Sequence, residues 1–250
     1  MSSLATQPKR DAARNVANRL LLALDGSDLE FLAPHLEEDH YPSGSVLIEP
    51  NQRSEYVYFP YSCVVSLINT VAGGSTVEVG TVGNEGMAGL AIFLDADATP
   101  SRTLVQVAGE MARLRADKFR EMAERSAGFR KFMNRYTLAF LAQVSQTATC
   151  NRAHTIDERC ARWLLMTHDR VTSDTFNLTH EFLAFMLGVR RAGVTVAAGI
   201  LQKAGLITYK RGNITVLNRR GLEEASCECY GIVNKEFERL LETQMNNRIA

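Results

Sequence analysis

Residues 177–207 read NLTHEFLAFMLGVRRAGVTVAAGILQKAGLI, and the organisation of the chain follows from this stretch. Thr179 is placed to cap a short helix, because its side-chain oxygen can accept from an otherwise unpaired backbone N–H of the first turn. Phe182, Leu183 and Met186 give that helix an apolar face. Gly188 stops it, since glycine enters the left-handed conformation without a steric penalty. A second helix is predicted from about Arg190, with Val194, Ala197 and Ile200/Leu201 facing inward and Gly205 ending it. Two short helices joined by a tight glycine turn form a helix-turn-helix, whose second helix enters the major groove of DNA. Arg190 and Arg191 open this second helix and Thr195 follows one turn later. Arginine there can donate bidentately to guanine O6 and N7. An ordinary helical hairpin with two surface arginines is the competing reading.

The next residues weigh against that alternative. Leu206–Tyr209 and Ile214–Leu217 are β-type runs separated by Lys210-Arg211-Gly212-Asn213. This is a hairpin with two cations at its tip, suited to gripping phosphates. Thr179, Arg190, Arg191, Thr195, Lys210 and Arg211 are therefore the candidate DNA contacts.

Upstream, Ile156, Cys160, Trp163, Leu164 and Met166/Thr167 recur at helical spacing, which predicts a helix within 151–176. Before that lies a proline-free run from Asp117 to about Thr149, with Phe129, Phe132/Met133, Tyr136, Ala139/Phe140, Gln143/Val144 and Thr147 three or four apart. Its second half would extend ~30 Å as one helix. Gln143 and Gln146 lie within a heptad-like face, where polar seam residues set register between paired helices. The expected seam of a homodimer is Phe132, Met133, Tyr136, Phe140 and Gln143, with Tyr136 and Phe140 meeting their copies across a two-fold axis. Between Tyr41 and Leu114 the texture is different. Short β-rich runs at 45–49, 56–59, 64–71, 76–82, 103–108 and 110–114 follow one another, with a hairpin signal at Gly73-Gly74. Strands this close together, with no helix between them, suggest a roll or barrel. Residues 12–39 read as short helices broken at Asp25–Asp28.

A β-roll, a long helix and then a winged helix-turn-helix resembles the Crp/Fnr family of bacterial transcription regulators. The resemblance spans about residues 20–220 and is most specific over Leu183–Ile207, supported by the run Glu158–Leu165. It implies an α+β chain with a jelly-roll-like β-roll sensor domain at 20–115, a dimerisation helix at 116–150, a winged helix-turn-helix at 151–220 and a helical tail at 221–250. It implies as partners double-stranded DNA, a second copy of the chain, RNA polymerase and an effector of unspecified chemistry, with no membrane. Thr195 and Val196 stand where many family members have glycine and arginine. Members that bind cyclic nucleotides hold the ribose with a glutamate and the phosphate with an arginine. Here Met87-Ala88-Gly89 lies at the matching turn, so that acid is missing, and Glu85 and a displaced Arg102 are the nearest candidates for an effector contact. The roll is accordingly expected to be indifferent to cyclic AMP.

Composition narrows the alternatives. The 250 residues are 46% hydrophobic with zero formal net charge. The charge is unevenly spread: residues 28–110 hold 12 acidic and 2 basic side chains, whereas 151–220 hold 5 and 11. An acidic body joined to a basic C-terminal half suits a polyanion binder with a separate module. No G-x-S-x-G, Walker A or G-x-G-x-x-G spacing occurs, so an enzyme is not expected. The five histidines form no HxH or HExxH pattern. Cys227-x-Cys229 is a close pair without a second pair at metal spacing, and there is no N-terminal cysteine cluster of the iron–sulfur type. Neither metal nor cofactor is expected. Scattered, odd-numbered cysteines and an N-terminus without an apolar core point to a cytoplasmic setting.

Overall fold

A computed structural model describes residues 18–242. The chain opens with two short helices, α1 (Arg19–Leu22) and α2 (Gly26–Leu32), and a 3-10 turn over Ala33–His35. Strands β1 (Glu37–Tyr41), β2 (Val46–Ile48), β3 (Tyr56–Pro60), β4 (Val64–Thr70), β5 (Thr76–Val82), β6 (Arg102–Val107) and β7 (Gly109–Arg115) follow, with the one-turn helix α3 (Leu90–Phe93) between β5 and β6. They form two antiparallel sheets, ordered β1-β7-β3 and β2-β6-β4-β5. Val65, Val82, Val105, Met111 and Tyr58 fill the layer between the sheets. Each expected β-run corresponds to a strand within one or two residues. The expectation of helix up to residue 39 is corrected at 37–39: Glu37–Tyr41 pairs with Arg113–Gly109 as an edge strand. It reads as polar because four of its five residues face solvent. The part of that helical expectation over 12–17 lies outside the described residues.

The proline-free run is two helices, α4 (Ala116–Arg125) and α5 (Ala127–Ala153). The break is at Ser126, whose extended backbone lets its hydroxyl accept from Phe129 N–H at 3.0 Å and donate to Asp28 at 2.8 Å. A short polar side chain that bonds its neighbouring backbone competes with helix continuation, and here it caps the next helix instead.

The inner face of α5 lies on the roll of its own protomer. Phe129, Phe132, Met133, Tyr136 and Ala139 are buried in one core with Leu20, Leu21, Phe59, Met87, Leu114 and Phe119. Tyr136 donates to Met87 C=O at 2.8 Å and accepts from Met87 N–H at 2.9 Å. A β-carbon on Gly86 would lie 2.5 Å from that hydroxyl, so the close approach requires glycine. The buried Asn18 closes the same corner by donating to Pro60 C=O and Gly86 C=O.

This corrects the expected seam. Phe132, Met133, Tyr136 and Gln143 are 2% exposed or less within a single chain. Gln143 accepts from Thr81 N–H at 2.7 Å, and Phe140 stacks on Tyr136 and covers Gly80. These side chains hold the helix to the roll. The outward face carries Lys131, Asn134, Leu138, Leu141, Ser145 and Ala148, with Leu141 60% exposed.

Downstream come α6 (Ile156–His168), β8 (Thr175–Asn177), α7 (His180–Leu187), α8 (Arg191–Lys203), β9 (Ile207–Lys210), β10 (Asn213–Val216), α9 (Arg219–Ala225) and α10 (Cys229–Phe237). The helix expected within 151–176 is confined to α6, and β8 joins the wing as the edge strand of a β8-β10-β9 sheet.

Tyr136→Phe removes both bonds to Met87 and leaves two buried backbone groups unsatisfied. It should lower unfolding stability by ~1–3 kcal/mol without altering the association state, as read by urea midpoints and sedimentation.

Candidate nucleic-acid interface

The helix-turn-helix is built by local chemistry. Thr179 accepts from Phe182 N–H at 3.1 Å and so caps α7. Gly188 takes φ +62° at its C-terminal end, and α7 and α8 meet at 105°. Leu183 and Met186 of α7 and Val194, Ala197 and Leu201 of α8 pack on Cys160, Leu164 and Leu165 of α6. Ile200, expected inside, is 49% exposed, because the inward stripe runs through Leu201. The outer face of α8 presents Arg191, Thr195 and Val196, and Arg190 stands exposed at its N-cap. No single helix among the described residues is long and apolar enough to cross a membrane; α7 and α8 pass that test only as a bent pair.

The wing turns at Arg211 and Gly212, whose φ angles are +53° and +80°. Two consecutive positive φ values match the tight primed turn that suits a twisted hairpin. Lys210 and Arg211 are both exposed there. Sequence reasoning missed His180. Its ring stacks on Tyr209 of the wing with centroids 4.1 Å apart, and its Nδ1 lies 3.2 Å from Thr195 Oγ1. The Thr195 hydroxyl donates to Arg191 C=O, so it accepts from an Nδ1–H of His180. Burial, with the Arg191 charge adding to it, pushes the His180 pKa down. One side chain thereby ties the first helix, the second helix and the wing together.

The cations of this surface differ in pairing from several arginines of the roll and the C-terminal helices. Arg102, Arg113, Arg170 and Arg219 each meet a carboxylate within 3 Å. Arg190, Arg191, Lys203, Lys210 and Arg211 have no such partner among the described residues. Unpaired, exposed cations on one face are the electrostatic footprint of a phosphate-backbone binder.

The two candidate effector contacts do not form one site. Glu85 accepts from Arg170 Nε and Nη2 at 2.9 and 2.7 Å, and both side chains are largely buried. A β-carbon on Gly83 would collide with the Arg170 side chain at 2.5 Å. The glycines of 83–86 thus admit Arg170 and Tyr136. Arg102 lies exposed on β6 and pairs with Glu49 at 2.9 Å. Ala88, at the turn where the family's acid stands, is tied by its backbone to Tyr58.

Comparison with known proteins agrees with this geometry. Residues 38–126 match the cyclic nucleotide-binding domain family and residues 158–225 match the Crp-like helix-turn-helix domain family, together more than half of the chain. The chain belongs to the Crp/Fnr family of transcription regulators. FixK2 from Bradyrhizobium japonicum shares the fold at 16% identity and a TM-score of 0.66, covering 77% of this chain and 98% of that one. The regulator CLP of Xanthomonas campestris, described as responsive to c-di-GMP, aligns at 17% identity and a TM-score of 0.59, with coverage of 77% and 99%. TTHB099 from Thermus thermophilus, a regulator of the CRP family, aligns at 14% identity and 0.62, with coverage of 75% and 96%. No curated protein matches significantly.

In this Crp/Fnr chain the roll and the DNA-binding half share a buried polar chain. Trp163 Nε1 of α6 donates to Glu78 of β5 at 2.9 Å, and Gln106 of β6 donates to Thr167 at 3.0 Å. Ser66 lies between them, 2.6 Å from Glu78 Oε2 and 2.7 Å from Gln106 Oε1. A hydroxyl has one proton and here faces two acceptors, and a protonated Glu78 supplies the missing donor. Burial pushes the Glu78 pKa up to about 7 from 4.5. A raised acid pKa means that the folded state holds the proton more tightly than the unfolded chain. Its contribution to stability is complete below pH ~4.5 and is lost as pH rises through ~7. Glu78→Gln, which mimics the protonated form, should flatten the pH dependence of stability across this window. At pH 8 it should exceed wild type by about 3 kcal/mol at most, as read by thermal and urea unfolding.

Proposed function

We propose that the chain is a cytoplasmic regulator that reads an inverted-repeat operator as a homodimer, with its roll sensing an effector and its DNA-bound form meeting RNA polymerase. The observation that carries this reading is the set of exposed cations without a carboxylate partner at the start and outer face of α8 and at the wing tip, within the stretch that matches the Crp-like helix-turn-helix domain. Arg190 and Arg191 are the base-edge readers. Thr195 and Val196 offer methyl groups to thymine, the apolar contact available in the major groove. Lys210 and Arg211 take phosphates. Thr179 acts through its cap, positioning α7.

The partner helix has a different seam from the aromatic one. Lys131, Asn134, Leu138, Leu141, Ser145 and Ala148 alternate at three and four residues, the spacing of a two-stranded left-handed coil. All are exposed on the face opposite the roll. Two copies related by a two-fold axis would bury Leu138 and Leu141 and set two reader helices ~34 Å apart, one turn of DNA.

Binding-site selection at two salt concentrations tests the DNA contacts. Arg190→Ala or Arg191→Ala should cost ~1–3 kcal/mol on the preferred site and flatten the preference at one base pair. Lys210→Ala should weaken all sequences alike and lower the salt slope by about one per lost contact. A wild-type preference retained in both helix variants overturns the reading, as does selection of no inverted repeat; the chain would then be a ligand-binding module whose helical hairpin contacts protein. For the seam, Leu138→Glu with Leu141→Glu should yield folded monomers in sedimentation, and a variant that stays dimeric overturns the assignment.

A further inference from the structure

The cysteines that look scattered along the sequence converge in space. Cys150 lies in the last turn of α5, His154 one turn later at its C-terminal cap, Cys227 in the link between α9 and α10, and Cys229 at the start of α10. Their ligand atoms all lie within 4.8 Å of one another. Cys150 Sγ is 3.5 Å from Cys227 Sγ, and Cys229 Sγ is 3.5 Å from His154 Nδ1. Metal–sulfur bonds of ~2.3 Å and metal–nitrogen bonds of ~2.0 Å in a tetrahedron give edges of ~3.5–3.8 Å. Two of the ligand pairs already stand at that spacing, and the rest lie within 4.8 Å, so small side-chain shifts would close the tetrahedron.

The surroundings are those of a metal centre rather than of a chance cluster of thiols. His154 turns Nδ1 toward the sulfurs while Nε2 meets Glu228 at 3.2 Å, an arrangement that orients a ligating imidazole. Gln146 Nε2 donates to Cys229 Sγ at 3.0 Å. Arg159 is buried, and its hydrogen bonds go to neutral groups only, Asn151 Oδ1 and Leu187 C=O. Arg162 is buried too, lines the same small cavity as Arg159 and Cys150, and bonds to Thr147 Oγ1. Buried charges are rarely left uncompensated. Three thiolates and an imidazole around a divalent ion carry one net negative charge, which offsets part of the positive charge of these two guanidiniums.

We propose that Cys150, His154, Cys227 and Cys229 hold a thiophilic divalent ion of the zinc class. Thiolate and imidazole donors without a carboxylate select such an ion over calcium or magnesium. With four protein ligands and three buried sulfurs the site is closed, so its role is structural. The ion tethers the end of the long helix to the C-terminal helices of the DNA-binding half.

The test uses the full chain, purified reduced and without chelator. Elemental analysis should find one zinc per chain, and chelation should lower the melting temperature. Cobalt loaded into the stripped protein should show the intense visible bands and thiolate charge transfer of a tetrahedral sulfur site. Cys229→Ser should abolish that spectrum, and Cys63→Ala, outside the cluster, should keep it. Glu228 is exposed, so Glu228→Gln should fold normally and weaken cobalt affinity ~10–100-fold. The proposal is overturned if reduced, folded wild type takes up neither zinc nor cobalt. It is equally overturned if Cys229→Ser and Glu228→Gln both bind cobalt as wild type does.

Discussion

Tyr136 sits in a notch that only the missing side chain of Gly86 leaves open, and its hydroxyl takes both backbone groups of Met87. The rest of the molecule depends on this contact. It fixes which face of the long helix looks inward, so the opposite face, with Leu138 and Leu141, is left exposed. It fixes the helix axis relative to the roll, so the last turn of α5 delivers α6 against the roll's outer sheet. There Trp163 reaches Glu78 and Arg170 reaches Glu85. Moving Tyr136 to a dimer seam would leave two buried amide groups unpaired and open a cavity of aromatic size in the core, and each is costly.

The contact between the roll and the DNA-binding half is polar where it is most buried. Glu78, Ser66, Gln106 and Thr167 form one chain of hydrogen bonds, with the Glu85–Arg170 pair beside it. Such a network is stable only while every member is satisfied, because a buried polar group without a partner loses its hydration for nothing in return. Polar contacts of this kind set a relative orientation more narrowly than an apolar patch does. In a family whose members regulate transcription, the orientation of the reader helix relative to the roll is the quantity that a sensor has to control. The glycines of 83–86 belong to the same device: they are vacant where Arg170 and Tyr136 enter. A loop that looks like a ligand turn in sequence is a docking surface for the chain's own side chains.

In the helix-turn-helix, packing and exposure are divided between neighbouring residues. Val194, Ala197 and Leu201 hold α8 to α6, while Arg191, Thr195 and Val196 stay outside. His180 joins the two faces, since its stack on Tyr209 and its bond to Thr195 set the wing relative to α8. The same division appears at the far end of the DNA-binding half, where Arg219 gathers Asp169, Glu223 and Tyr230 and anchors α9 and α10 to the end of α6.

What the amino-acid order determined by itself is whatever rests on short-range physics. Short β-rich runs between turn residues marked the strands, Thr179 and Gly188 bounded the first helix of the pair, and two β-runs around Lys210–Asn213 announced the wing. Each signal is read within about ten residues, because caps, turns and pleats are made by neighbours along the chain. The edge strand at 37–41 escaped because most of its residues face solvent and are charged, so it lacks the β-rich composition of the other runs. Only the tertiary structure decided what each face meets. The long helix carries two stripes, and periodicity reveals an apolar face without naming its partner. The richer aromatic stripe went to the roll, and the weaker heptad of two leucines among small and polar residues was left outside. Glu85 and Arg102 are 17 positions apart in sequence and serve different partners, since side chains pair by distance in space. For the same reason Cys150 and His154, one turn apart on a helix, gained Cys227 and Cys229 from more than 70 residues away. An isolated pair at helical spacing carries no metal signature, and folding supplied the other two sulfurs.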